Sequence, residues 1–213
     1  MAILHEHVES YLRSLRPERD GVMAEMEALA QRDSVPIVAW ETGRLLASLC
    51  RATDPRVLEV GTAIGYSALH MAQELIEGSV VTLERDGTRI ASARELLDRA
   101  GVGERVEIIE GDARETIPTL QGTFDLLFLD ATKGEYRDYL RLAEPLASDR
   151  ALLLIDNVLM SGEVALPGGA DTGWGDESLA AARALNAELL AGTGWLGSVL
   201  PVGDGVALAT RRS

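Results

Sequence analysis

Two stretches of this chain, Phe-Asp-Leu-Leu-Phe-Leu-Asp at 124–130 and Ala-Leu-Leu-Leu-Ile-Asp at 151–156, are nearly unbroken apolar runs that each end in an acid. A strand with one wet face alternates apolar and polar residues. A run without alternation predicts a strand buried on both faces, as in a parallel sheet covered by helices on either side. The neighbouring sequence fits that frame. Val57–Val60, Val80–Glu84 and Val106–Glu110 read as further strands, and Ser67–Leu75, Arg89–Ala100, a short segment near Arg114–Leu120, and Tyr136–Leu146 read as the helices between them. Strands alternating with helices imply right-handed βαβ units and a doubly wound α/β sheet. Residues 178–191 form another amphipathic helix, and 195–202 and 205–210 flank Gly203-Asp204-Gly205, a hairpin-type turn between antiparallel edge strands. The expected architecture is a mostly parallel, Rossmann-like sheet of seven strands with an antiparallel C-terminal edge.

Ahead of the sheet, residues 3–15 and 18–32 carry helical spacing. Leu4, Val8, Tyr11, Leu12 and Leu15 make one stripe, and Met23, Met26, Leu29 and Ala30 another. Pro17 suits the start of the second helix; Pro36 interrupts the pattern, and a third helix runs from about Glu41 to Arg51. With 213 residues, the chain is long enough for one domain (1–213) with a large core, and residues 1–50 form its N-terminal helical part. The net charge of −14 argues against broad binding to nucleic acid or anionic membranes, both of which need basic patches. A single cysteine, Cys50, rules out an intrachain disulfide and a Cys-rich zinc site, and its apolar setting predicts a buried, inert thiol. The N-terminus lacks a basic segment leading into an apolar one, and no apolar run reaches membrane-spanning length, so the expected location is cytoplasmic.

Ligands of open α/β sheets bind beyond the carboxyl ends of the strands, so the residues at those ends carry the chemistry. The first strand ends in Val-Leu-Glu-Val-Gly-Thr-Ala-Ile-Gly-Tyr-Ser at 57–67, a strand, a tight glycine turn and a helix start. The spacing Glu-x-Gly-x-x-x-Gly differs from the Gly-x-Gly-x-x-Gly of dinucleotide sites. A carboxylate such as Glu59 repels pyrophosphate but suits a cationic ligand; S-adenosylmethionine has a sulfonium and an ammonium and no phosphate. Glu84 ends the second strand, 25 residues beyond Glu59, where an acid accepts both ribose hydroxyls of an adenosine. The third strand leads to Gly111-Asp112-Ala113, placed to meet adenine. The fourth ends at Asp130 and the fifth at Asp156-Asn157.

Asp130, Asp156 and Asn157 would offer two carboxylates and an amide oxygen, a hard and incomplete shell suited to Mg²⁺, or to Mn²⁺ or Ca²⁺. The alternative is that these acids cap helices or hold Lys133. Lys133, three residues beyond Asp130, is a candidate general base for a metal-bound hydroxyl, or an ordinary lysine paired with Asp130 or Glu135.

The segments VLEVGTAIGYS, VVTLERD, EIIEGDA, FDLLFLDATKGEY and LLLIDNVLMSGEV, in this order, resemble the cation-dependent O-methyltransferases, the family of caffeoyl-CoA and catechol O-methyltransferases and their small bacterial relatives. The resemblance spans roughly residues 30–210. It implies a class I methyltransferase fold with S-adenosylmethionine and Mg²⁺. It implies that Glu59, Gly61 and Ser67 serve the methionine part of the cofactor, Glu84 the ribose, Asp112 and Ala113 the adenine, and Val38 an N-terminal contact. Asp130 takes part in cofactor binding, metal binding and catalysis, Asp156 and Asn157 complete the metal ligands, and Lys133 is the catalytic lysine. It also implies a homodimer and N-terminal helices that shape the acceptor pocket. Two positions depart from the pattern. Where relatives carry Asp-Ala-Asp-Lys, this chain has Asp130-Ala131-Thr132-Lys133, and where many continue Val/Thr-Leu-Trp-x-Gly it has Val158-Leu159-Met160-Ser161-Gly162. An uncharged Thr132 replaces an acid. Met160 becomes an adaptable apolar wall, and Trp174 in the loop 167–177 is either a stacking group for the acceptor or a surface residue.

The expected acceptor is therefore a small catechol-like or vicinal-diol hydroxyl compound. A hydroxyuridine in transfer RNA is a second acceptor class, and cofactor binding without catalysis a third reading. A nicotinamide dehydrogenase is disfavoured by the missing third glycine and by Glu59.

Overall fold

The computed structural model describes residues 5–19, 21–166 and 173–212. Three helices come first: α1 (Glu6–Ser14), α2 (Gly21–Asp33) and α3 (Trp40–Thr53). Strand and helix then alternate through β1 (Arg56–Val60), α4 (Tyr66–Ala72), β2 (Ser79–Glu84), α5 (Gly87–Arg99), β3 (Val106–Glu110), α6 (Ala113–Thr116), β4 (Phe124–Leu129), α7 (Tyr136–Ala143) and β5 (Ala147–Ile155). The chain closes with α8 (Asp176–Ala191), β6 (Trp195–Leu200) and β7 (Val206–Arg211). The strands form one seven-stranded sheet in the order β3-β2-β1-β4-β5-β7-β6. The first five are parallel. β7 runs antiparallel between β5 and β6, so that β6 is the outermost strand of the expected antiparallel edge.

The apolar runs do what their composition predicts. In β4, Leu126 and Phe128 point to one side of the sheet, and Phe124, Leu127 and Leu129 to the other. The first side packs against Met26 of α2, Leu46 of α3, Leu69 of α4 and Leu97 of α5. The second packs against Ile117, Tyr139 and Leu140 of α7, and Leu185 and Leu189 of α8. Side chains such as Phe128 are fully buried, each worth about 1.5–3 kcal/mol of transfer from water. Cys50 is fully buried too, and burial, reinforced by Glu59 and nearby acids, pushes its thiol up to about 12.

Several boundaries differ from the sequence reading. β5 begins at Ala147 rather than Ala151, because its pairing with β4 jumps from Phe124–Ala147 to Leu126–Leu152. The intervening Asp149 and Arg150 are exposed, so this irregular stretch carries no apolar signal. Pro17 precedes α2 without starting it. The short helix expected near Arg114–Leu120 splits into α6 and a 3₁₀ turn that contains Pro118. Met23, Met26 and Ala30 of α2 are buried as expected. In α1 no residue is buried, and Val8, Tyr11 and Leu15 are exposed; Leu4 lies outside the described residues. Among the described residues no helix is long and apolar enough to cross a membrane.

The register brings the carboxyl ends level. Val60 pairs with Leu83 on one side and Leu129 on the other, and Leu129 with Ile155. The ladder continues one residue further, with Asp130 N donating to Val60 O at 2.9 Å and Asp156 N to Leu129 O at 3.1 Å. Gly61 leaves this row with φ +104°, and a Cβ there would lie 2.1 Å from the Asp130 carbonyl oxygen. Gly61→Ala must therefore push β1 and β4 apart where they meet the site. We expect a loss of roughly 2–3 kcal/mol of stability in urea denaturation; a midpoint unchanged from the parent would show that the turn yields freely.

Candidate functional site

The row of strand ends opens into a cavity of about 280 Å³. Val38, Gly61, Ser67, Glu84, Asp112, Ala113, Asp130 and Lys133 all line it, as does the departing residue Thr132. Residues 61–63 form its floor; Gly61 (φ +104°) and Gly65 (φ +85°) both adopt left-handed backbone, Gly61 fitting against the Asp130 carbonyl and Gly65 against Leu97 and Ala93 of α5. Gly65 then caps α4, whose first turn presents Ser67.

Glu59 sits differently from its neighbours. Its side chain is fully buried beneath the floor, where it accepts from Ser67 Oγ at 2.5 Å and from Thr82 Oγ1 at 2.6 Å. Burial pushes its carboxyl up to about 7, against the opposing effect of those two hydroxyl donors; Asp130 and Glu84 add to the rise. Its influence on a ligand runs through Ser67, which faces the cavity. Glu84 is held by three backbone donors. Ala63 N meets Oε2 at 2.9 Å, and Arg85 N and Asp86 N meet Oε1 at 2.9 and 3.0 Å. A carboxylate fixed in this way keeps lone pairs free to accept from further hydroxyl donors. Asp112 caps α6 and accepts from the Arg114 guanidinium, which holds its carboxyl low, at about 2. Arg114 also pairs with Glu135 at 3.1 Å, tying the loop after β3 to the turn that carries Lys133.

Asp130, Asp156 and Asn157 come together as expected from the ends of β4 and β5. Lys133 Nζ lies among them, donating to Asp130 Oδ1 at 2.8 Å, Asn157 Oδ1 at 2.5 Å and the Tyr136 hydroxyl at 2.8 Å. Asp156 is 2% exposed and its carboxyl is pushed well up, first by burial and then by Asp130, with Lys133 opposing. Among the described residues no three His, Cys, Asp or Glu side chains gather to hold a metal ion. The third oxygen here is the Asn157 amide. The donor set nonetheless fits a hard cation: Asp130 and Asn157 oxygens already hold a positive charge, the lysine ammonium, and Asp156 lies close enough to feel both Asp130 and Lys133.

Sequence reasoning missed three participants. Tyr136 bonds Lys133, Tyr139 lines the cavity, and Asp204 accepts from Asn157 Nδ2 at 3.3 Å. The tyrosines read as core positions of a helix, and Asp204 as a turn residue between two glycines, so no local pattern marked them. Met160, expected as an acceptor wall, is instead buried with Leu179 and Ala182, and Trp174 packs partly against the same cluster. Residues 167–172 of the expected acceptor loop lie outside the described residues.

A family model described as O-methyltransferase matches residues 18–212. The catechol O-methyltransferase of Niastella koreensis is 35% identical over 221 residues, covering 97% of this chain and 97% of its own. That of Mycobacterium tuberculosis is 37% identical over 162 residues, 74% of each chain. Among solved structures, the O-methyltransferase TomG of Streptomyces achromogenes, in complex with SAM, superposes with a TM-score of 0.84 at 28% identity, covering 99% of this chain and 100% of that one.

The buried Glu59 carboxyl has a measurable consequence. Its ordinary value is 4.5 and its folded value about 7, so between these the folded protein keeps a proton that the unfolded chain releases. Its contribution to stability is complete below 4.5 and is lost as pH rises through about 7. Glu59→Gln removes the titration. From about pH 5 to about pH 8 the wild type should lose on the order of 3 kcal/mol relative to the variant in urea denaturation. A gap that stays constant, or widens in favour of the wild type, would mean that the carboxyl is already charged at the low end.

Proposed function

This chain belongs to the O-methyltransferase family, and from that premise we propose that it transfers a methyl group from S-adenosylmethionine to one hydroxyl of a small catechol-like or vicinal-diol acceptor, with a divalent cation such as Mg²⁺ as partner. One observation carries the reading: Asp130, Asp156, Asn157 and Lys133 converge at the strand ends, and Asp130 and Lys133 also form the wall of the cavity above the Gly61 turn.

When bound, S-adenosylmethionine supplies an electrophilic methyl on a sulfonium, and the cation eases ionisation of the acceptor hydroxyl. The chain's own residues do the rest. Glu84 accepts from the ribose hydroxyls, and Asp112 and Ala113 edge the adenine. Val38, Gly61 and Ser67 enclose the methionine part, with Glu59 below Ser67. Asp130, Asp156 and Asn157 would hold the cation, which would help to orient the acceptor. Lys133, once Nζ has given up its own ammonium proton, takes the acceptor's hydroxyl proton there. The site contributes positioning and a fixed polar surrounding. The net charge of −14 supports a small-molecule acceptor over a nucleic acid. The exposed Val8 and Tyr11 of α1 and Leu15 at its end support a homodimer contact at the N-terminal helices. We read residues 1–213 as one methyltransferase domain that works in the cytoplasm.

The reading is tested by methyl transfer from labelled S-adenosylmethionine to caffeic acid, with Mg²⁺ and with EDTA. We expect activity that EDTA abolishes. Activity that survives EDTA would remove the cation from the mechanism. Lys133→Ala should lower kcat by about 10²–10⁴-fold. Asp156→Ala should abolish turnover while calorimetry still detects cofactor binding; parallel loss of both would refute the division between cofactor and metal residues.

A further inference from the structure

We propose that Asp204 is a positioning residue that locks the Asn157 side-chain amide with its oxygen toward the cation site. The inference rests on the cation reading above and assigns a task to a residue outside the ligand set. Asp204 lies in the turn between β6 and β7. That turn is docked on the chain just after Asn157: Val158 N donates to Gly205 O at 3.0 Å, and Leu159 N to Asp204 O at 3.2 Å. The fit leaves no slack. A Cβ on Gly205 would come 2.4 Å from Leu159 Cγ, and one on Gly203 2.8 Å from both Ala39 Cβ and Thr42 Oγ1. The turn is thus wedged between the start of α3 and residues 157–161, and its one charged side chain is held against Asn157.

The polar contacts have a definite sense. Asp204 Oδ2 accepts from Asn157 Nδ2 at 3.3 Å, and Oδ1 accepts from the backbone N of Ser161. On the far side, Asn157 Oδ1 accepts from the Lys133 ammonium at 2.5 Å. A carboxamide has one accepting and one donating end. Reversed, it would set NH₂ against the ammonium and oxygen against the carboxylate, and both contacts would repel. Only an oxygen can ligate a hard cation, so the orientation that Asp204 selects is the one the metal needs. Partners of this kind change metal affinity by about 10–100-fold when removed.

Mn²⁺ binding to the purified protein, read by the EPR signal of free Mn²⁺, tests this without turnover. Asp204→Ala should weaken binding about tenfold or more, with the calorimetric affinity for S-adenosylmethionine unchanged. Asp204→Asn keeps the size of the side chain and an acceptor for Ser161 N, but then turns NH₂ toward Asn157; it should weaken Mn²⁺ similarly, and it carries the test if the alanine variant fails to fold. The deciding comparison is made in an Asn157→Asp background, where the ligand is symmetric and needs no orienting. There Asp204→Ala should leave Mn²⁺ affinity unchanged or raise it, since a like charge is removed. Equal Mn²⁺ affinity of wild type and Asp204→Ala would overturn the proposal, and equal weakening in both backgrounds would reduce Asp204 to a support for the turn. Failure of the wild type to bind Mn²⁺ would overturn the cation reading itself, and with it this inference, and is distinguishable from the other outcomes.

Discussion

The site depends on the alignment of four parallel strand ends. Leu83, Val60, Leu129 and Ile155 lie side by side, each the last or next-to-last residue of its strand, and the residues just beyond them inherit that alignment. Glu84, Gly61, Asp130 and Asp156 therefore arrive at one edge by backbone hydrogen bonding alone. Side-chain period in a strand is two, so a slip of one residue between β1 and β4 would turn Leu127 and Phe128 to each other's side of the sheet. The large buried side chains on both faces forbid such a slip. The same packing that stabilises the fold sets the distances within the site.

The electrostatics follow from that crowding. Three acids, Glu59, Asp130 and Asp156, approach one another in a region where Glu59 and Asp156 are almost inaccessible to water. One cation, Lys133, offsets part of this. The hydroxyls of Ser67 and Thr82 supply the buried Glu59 with donors, so that it is hydrogen-bonded without a counterion. The result is a pocket with positive charge favoured in two places, above Ser67 and among the strand-end oxygens. A ligand bearing a sulfonium suits such a pocket.

How far the sequence speaks depends on whether a residue's role is local. The apolar runs of β4 and β5 state their own burial, and the acid that ends each run states its place at the sheet edge. Glu59 was visible as an acid in a glycine turn. Its position beneath the floor depends on Ser67 and Thr82, which reach it from another helix and another strand. The start of β5 was hidden by exposed Asp149 and Arg150, which interrupt the apolar pattern at an irregularity in pairing. Tyr136 and Asp204 gain their meaning only when α7 and the last turn fold against residues 130–161. No spacing along the chain encodes that encounter. Met160 shows the same limit from the other side: an apolar residue next to Asn157 could face the acceptor or the core, and α8 draws it into the core.

The order of the last two strands has a consequence for synthesis. β7 leaves the ribosome after β6, yet it lies between β6 and β5, so β6 has no partner in the sheet until residues 206–211 have emerged. Until then the outer edge of β5 is unpaired as well, and Gly205 cannot dock on Val158. A nascent chain can thus assemble the cofactor half of its sheet while the half that braces Asn157 waits for β7. Translation arrested shortly before that point would leave two apolar strand edges open to pairing with another chain. For this topology the vulnerable interval lasts until β7 has been made.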